Sequence, residues 1–170
     1  QTAWLKAHYP VEFMAALLTS EAADTDKVVA HIFGARRSGI RVLPPDVNES
    51  AASFTALPPG EGEANGRIRF GLGAVKGVGD SAVQAILAAR DEGGPFRSLF
   101  DFCGRIDPRR VNKKVIEALV KSGAFDFEGV PRWRLHAGID GALAAGSAAH
   151  ADRESGQASL FGGMPVTASQ

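Results

Sequence analysis

Apolar residues recur along this chain mostly at helical spacing, with only short stretches of strand-like character between them. Residues 1–20 read as helix, a brief interruption, then helix. Pro10 suits the first position of the second helix, and Phe13, Met14, Leu17 and Leu18 form its stripe. Asp24 is a candidate N-cap for a helix over 25–38, with Val28, Val29, Ile32 and Phe33 as its apolar face and Gly39 as its stop. Residues 40–43 are a strand candidate closed by Pro44-Pro45. Residues 46–66 are loop-like, with Pro58-Pro59-Gly60 and the polar run to Gly66 as a flexible insertion. Phe54-Thr55-Ala56 and Arg67-Ile68-Arg69-Phe70 can pair across it as a short β-hairpin.

The second half is a pair of helix-turn-helix units. In the first, a short apolar segment over 70–75 leads into Lys76-Gly77-Val78-Gly79. A helix then follows with Ala82, Val83, Ile86 and Leu87 on one face, so a helix is expected on both sides of the turn and the unit fills 71–91. Gly93-Gly94-Pro95 breaks the chain. In the second unit Ser98 is a good N-cap, with Leu99, Phe102, Cys103 and Ile106 inward. The turn is Asp107-Pro108-Arg109-Arg110-Val111. Asn112 caps a helix over 113–122 with Val115, Ile116, Leu119 and Val120 inward, and Gly123 ends it. Pro131 can start a last helix with Leu135, Ile139 and Leu143 inside. From Ala144 the composition turns to Ala, Gly and Ser, and a flexible tail is expected over 144–170. Within it Gln157-Ala158-Ser159-Leu160-Phe161 is anomalous. Two large apolar residues that the tail cannot bury suggest a peptide that docks elsewhere.

The Gly-apolar-Gly turn carries the clearest chemistry. Glycines permit positive φ and close approach of another backbone. The helix start behind them leaves N–H groups without intrahelical partners. Such a turn can hold a phosphate through main-chain N–H groups and the helix dipole without reading base sequence. The candidate contacts are Lys76, Gly77, Val78, Gly79, Ser81 and Ala82. The competing structural role is a tight helix–helix turn. In the second unit Arg109, Arg110, Lys113 and Lys114 crowd a helix N-terminus, where cations oppose the dipole. A nearby anion would relieve that cost; a solvated charged turn is the alternative.

Bulk charge changes the picture only locally. Lys and Arg number 19, matched by 19 Asp and Glu. Residues 1–66 carry five basic and eight acidic side chains, residues 67–121 eleven and six, and residues 122–170 three and five. The positive excess therefore surrounds the two turns, where phosphates would need it. The single cysteine, Cys103, excludes an intrachain disulfide or a cysteine-cluster zinc site and reads as a buried structural thiol. No spaced Asp or Glu cluster resembles a two-metal site. His8, His31, His136 and His150 are scattered. No apolar run approaches membrane-span length. The chain starts at Gln1 inside a helical pattern and reads as a fragment of something longer.

Several runs together resemble the alpha (polymerase) subunit family of bacterial DNA polymerase III. Gln1-Thr2-Ala3-Trp4-Leu5-Lys6-Ala7-His8-Tyr9-Pro10, continuing to Leu18, is similar to the end of that family's fingers region. Val42-Leu43-Pro44-Pro45-Asp46-Val47-Asn48 is similar to the segment leaving it. Residues 68–79 and 111–126 resemble its tandem helix-hairpin-helix domain, and Gln157 to Phe161 its internal sliding-clamp-binding peptide. The resemblance implies a mainly α fold. Residues 1–43 would be a small helical end of the fingers and 44–66 a linker and loop. Residues 67–143 would be a tandem helix-hairpin-helix DNA-binding domain with one short β-hairpin at its edge, and 144–170 a disordered tail with the clamp peptide.

It further implies a role in DNA-templated DNA synthesis in the bacterial cytoplasm. Double-stranded DNA, the sliding clamp (through Gln157, Leu160 and Phe161) and other replicase subunits would be partners, with no membrane. No catalytic residue, metal or cofactor is expected here, because in the family the palm, with its aspartates and its divalent metal (Mg), lies N-terminal to such a stretch. Two other readings fit the residues: a stand-alone helix-hairpin-helix DNA-binding or repair module, and a helical protein-interaction scaffold that never meets DNA.

Overall fold

The computed structural model describes residues 1–161 in backbone and 1–156 in side chain. It is mainly helical, with a three-stranded sheet. Helices α1 (Thr2–His8), α2 (Pro10–Ser20) and α3 (Thr25–Arg37) precede strand β1 (Arg41–Leu43), then β2 (Thr55–Leu57) and β3 (Arg67–Arg69). Pro10 opens α2, where its missing N–H costs nothing. Asp24 caps α3 by accepting from the N–H groups of Asp26 and Lys27. The expected hairpin forms: β2 runs antiparallel to β3, with Ala56 opposite Ile68. β1 lies on the other side of β3 and parallel to it, Val42 opposite Ile68, so the sheet order is β1-β3-β2. Val11, Ala15, Leu18, Val28, Ala35, Ile40, Phe54 and Ile68 close the first core between helices and sheet. The α3 stripe is wider than what it buries. Val28 is buried and Ile32 half-buried, but Val29 and Phe33 are exposed, Phe33 at 61%.

The second core belongs to α4 (Asp80–Gly93), α5 (Leu99–Arg105), α6 (Lys113–Ser122) and α7 (Arg132–Phe161). Ser98 caps α5 and Asn112 caps α6, each through its side chain. Gly123 ends α6 at φ +94°, a left-handed position that a Cβ resists. Phe96, Phe102 and Phe125 stack edge-on at centroid distances of 4.9 and 5.0 Å in the middle of this core. Arg105 staples the two units: it donates to the carbonyls of Ala89, Gly94 and Pro95 and lies 4.4 Å over the Phe96 ring.

Three expectations need correction. First, no α-helix leads into the glycine turn, only one 3₁₀ turn at Leu72–Ala74. The N–H groups of Leu72 and Gly73 bond the carbonyls of Ala51 and Ala52, and tertiary bonds thus replace helical ones. A Cβ at Gly71 would strike the Ser53 backbone at 2.5 Å, so this crossing needs glycine. Second, segment 44–66 is tied down more firmly than a linker. Val47 joins the second core, Ser50 is fully buried with its hydroxyl donating to Phe70 O, and Asn48 exchanges two hydrogen bonds with the Phe96 backbone. Third, the flexible tail expected from Ala144 is helical there: α7 continues through Phe161. Ala142 is buried in the second core, Gly146 packs against α5, His150 Nε2 donates to Ile106 O at 3.0 Å, and Arg153 donates to Gly104 O. These two side chains satisfy carbonyls that the C-terminus of α5 leaves open. Residues 162–170 lie outside the described residues.

Candidate nucleic-acid interface

The two turns are built alike. Val78 and Val111 are each buried immediately before an N-cap, Gly79 and Asn112. Each N-cap is followed by buried residues three, four and seven positions on: Ala82, Val83, Ile86 in one unit and Val115, Ile116, Leu119 in the other. The first turn sits on the second unit's helix, since a Cβ on Gly77 would lie 3.6 Å from the Ala118 methyl.

They differ in the residues before the N-cap and in whether a side chain caps the helix. In the first turn Val78 N–H donates to Val75 O and Ala82 N–H to Gly79 O, both at 3.0 Å. The side chains of Val78 and Ala82 are buried too, so these two candidates serve the fold. Among the described residues nothing accepts from the N–H groups of Gly77, Gly79, Asp80 or Ser81, and no side chain caps α4. Gly77 holds φ +91°, which favours glycine. Gly79 is different: φ is −84° and ψ 164°, open to any residue, and a Cβ there meets nothing within 4 Å. Nothing in the protein requires glycine at 79, and its N–H has no acceptor among the described residues. Asp80, not named among the candidate contacts, contributes a bare N–H as the first residue of α4; the helix-start rule is the signal for it.

The second turn bonds its N–H groups ahead of the N-cap, while those of Asn112, Lys113 and Lys114 find no acceptor among the described residues, like their counterparts Gly79, Asp80 and Ser81. Asp107 accepts from the Arg109 N–H through its side chain at 2.8 Å and from the Arg110 N–H through its carbonyl at 3.0 Å. Asn112 Oδ1 accepts from the Val115 N–H at 3.1 Å. What this turn offers is side-chain charge. All four cations are exposed. Two of them face α7: Lys113 Nζ is 2.6 Å from Asp140 and Arg109 lies 4.0 Å from Glu154. The hydrogen bond to Asp140 holds the Lys113 ammonium above its ordinary pKa. Arg110 and Lys114 have no ion pair among the described residues.

The local positive excess is smaller in practice than in the sequence count. Arg67 and Arg69 are bound to Glu63 and Glu49, Arg90 to the carbonyls of Val47 and Ser50, and Arg105 to its staple. Lys76 is exposed, and lines a depression with Glu21, Asp24 and Asp26, so its field is mixed. Cys103 is buried, with its thiol pushed up to about 11 by desolvation, and is inert at neutral pH. Among the described residues no three His, Cys, Asp or Glu side chains gather to hold a metal, and no helix is long and apolar enough to cross a membrane. The backbone of Gln157, Leu160 and Phe161 continues α7; their side chains lie outside what is described.

Two pseudo-equivalent units, a 3₁₀ turn leading through an uncapped glycine turn into α4 and α5 leading through a charged turn into α6, define a tandem helix-hairpin-helix domain. The family described as a helix-hairpin-helix motif matches residues 39–135, and the chain belongs to it. Nearly the whole chain is also similar to DNA polymerase III subunit alpha. Identity is 46% over 162 residues with the subunit of Vibrio cholerae, covering 95% of this chain and 14% of the relative. It is 47% over 165 residues with that of Caulobacter vibrioides (97% and 14%), and 45% over 163 with that of Escherichia coli K12 (95% and 13%). The chain thus spans about 14% of the length of the curated relatives it matches.

Proposed function

We propose that this chain is the part of a bacterial replicative DNA-directed DNA polymerase, a DNA polymerase III alpha subunit, that holds duplex DNA by its backbone and tethers the enzyme to its sliding clamp. The observation that carries the DNA reading is the first turn: bare N–H groups on Gly77, Gly79, Asp80 and Ser81 at the positive end of α4, with no protein atom within 4 Å of where a Gly79 Cβ would stand. A phosphate oxygen fits there by hydrogen bonding and by the helix dipole. Such contacts fix position and carry no base information. Arg110 and Lys114 add charge beside the second turn. Residues 1–43 would then be the end of the fingers, and other replicase subunits in the cytoplasm would be further partners.

Among the described residues no group of carboxylates gathers that could hold the divalent metal (Mg) that polymerase chemistry uses. No step of nucleotidyl transfer is assigned to this chain.

The clamp reading is supported by Gln157, Leu160 and Phe161. Leu160 and Phe161 would each contribute roughly 1.5–3 kcal/mol when fully buried in an apolar pocket, before the cost of ordering. Gln157 would add a directional amide hydrogen bond. On a polymerase already bound to DNA, high effective concentration makes a weak site sufficient.

Two titrations test the proposal. The chain should bind duplexes of unrelated sequence equally, with log affinity falling linearly with log salt; no binding at low salt refutes the DNA reading. A peptide spanning Ser155 to Met164 should bind the clamp, and its Leu160→Ala/Phe161→Ala form should not. Equal binding, or none by either peptide at millimolar concentration, refutes the tether.

A further inference from the structure

Helix α7 does more than close the second core. Its N-terminal part carries Asp140 against Lys113, and its later part carries Glu154 opposite Arg109. At the helical rise the two carboxylates stand about 21 Å apart along α7, so the helix passes the whole second turn. We infer that Asp140 and Glu154 compete with duplex phosphates for Lys113 and Arg109, and so set how much of the second turn's charge DNA can use. This rests on the duplex-binding reading above.

Three features support competition over a purely structural role. Both carboxylates are largely solvent-exposed, Asp140 at 76% and Glu154 at 74%, and exposed ion pairs are weak. A phosphate can therefore displace them. Helix α7 also does not need these pairs for its placement. Leu135, Ile139 and Ala142 are buried, Gly146 packs on Cys103, and His150 and Arg153 bond the end of α5. Finally, the two cations left unpaired, Arg110 and Lys114, alternate with the paired ones around the same turn. Removing the carboxylates would double the number of cations that phosphates can reach without displacing a protein partner.

The test is salt-dependent binding of a random-sequence duplex by the full chain, its Asp140→Asn/Glu154→Gln form and an Asp152→Asn control. Asp152 is on the same helix, is exposed, and has no ion pair among the described residues. The double variant should bind about two- to fivefold tighter per pair released. Its slope of log affinity against log salt should steepen by up to about 0.9 for each cation freed, less the share of complexes in which phosphate already displaces the carboxylate in the parent. Lys113→Ala should cost more in the Asp140→Asn background than in the parent. An unchanged slope, or an equal gain from Asp152→Asn, overturns the inference, since either would mean that the carboxylates act only through net charge. Loss of binding on Gly79→Val alongside an inert double variant would leave the duplex reading standing and this one refuted. No duplex binding by parent or double variant refutes both.

Discussion

Replacing Gly79 by Val isolates the backbone contact from everything else in the domain. The position has φ −84° and ψ 164°, within the extended region that β-branched residues favour. The new Cβ meets no protein atom within 4 Å. The fold should therefore survive, with a loss of at most about 1 kcal/mol from a poorer N-cap. Gly77→Val would not serve, because φ +91° strains any L-residue there. The branched side chain at 79 would stand where a phosphate oxygen must approach the N–H groups of Gly79, Asp80 and Ser81. A hydrogen bond to a charged acceptor is worth about 1.5–3 kcal/mol, so losing one weakens binding about ten- to hundredfold. No cation is removed, so the salt slope should stay close to the parent's. Fluorescence anisotropy with a labelled random duplex reads both affinity and slope, and circular dichroism checks α4. A folded Gly79→Val chain that binds as tightly as the parent would refute the assignment of this turn.

The second turn behaves in the opposite manner. Arg110→Ala and Lys114→Ala should each flatten the salt slope by about 0.9 on duplex DNA, and unchanged slopes would show that this turn faces away. Gly146→Val should destabilise the protein by about 1–3 kcal/mol and loosen the later part of α7, because a Cβ there meets the backbone of Cys103. A thermal midpoint equal to the parent's contradicts the packing described. Burial raises the folded Cys103 pKa from its ordinary value near 9 to about 11. Its contribution is thus complete below pH 9 and lost as pH rises toward 11, by up to about 3 kcal/mol. Cys103→Ala should remove that part of the alkaline decline in urea stability, and an identical decline would contradict it.

The elements most legible in the sequence were those specified by their own ends. Asp24, Ser98, Asn112 and Gly123 each cap or stop a helix through groups a few residues away, and all four do so in the structure. The parallel pairing of β1 with β3 was not legible, since it joins strands across a long intervening segment. The later part of α7 was misread for a physical reason. Ala and Gly suggest looseness when a segment is considered alone, yet Gly146 lets α7 approach the α5 backbone closely. The 3₁₀ lead-in was missed because its N–H groups find partners at Ala51 and Ala52, distant in sequence. At the site, residue types located the turns correctly. Which N–H groups are free could not be read, because Val78 and Ala82 spend theirs on the turn itself. The partners of Lys113 and Arg109 come from α7, whose register against the second turn is a tertiary fact.

If duplex phosphate is held by specific main-chain N–H groups of the first turn, amide chemical shifts report it directly. Isotope-labelled chain titrated with a short random duplex should show its largest amide shifts at Gly77, Gly79, Asp80 and Ser81. Shifts at Val78 and Ala82 should be smaller, because those N–H groups are already bonded within the turn. Saturating duplex that leaves the four amides unmoved, or moves only residues remote from both turns, would show that the first turn does not hold the phosphate.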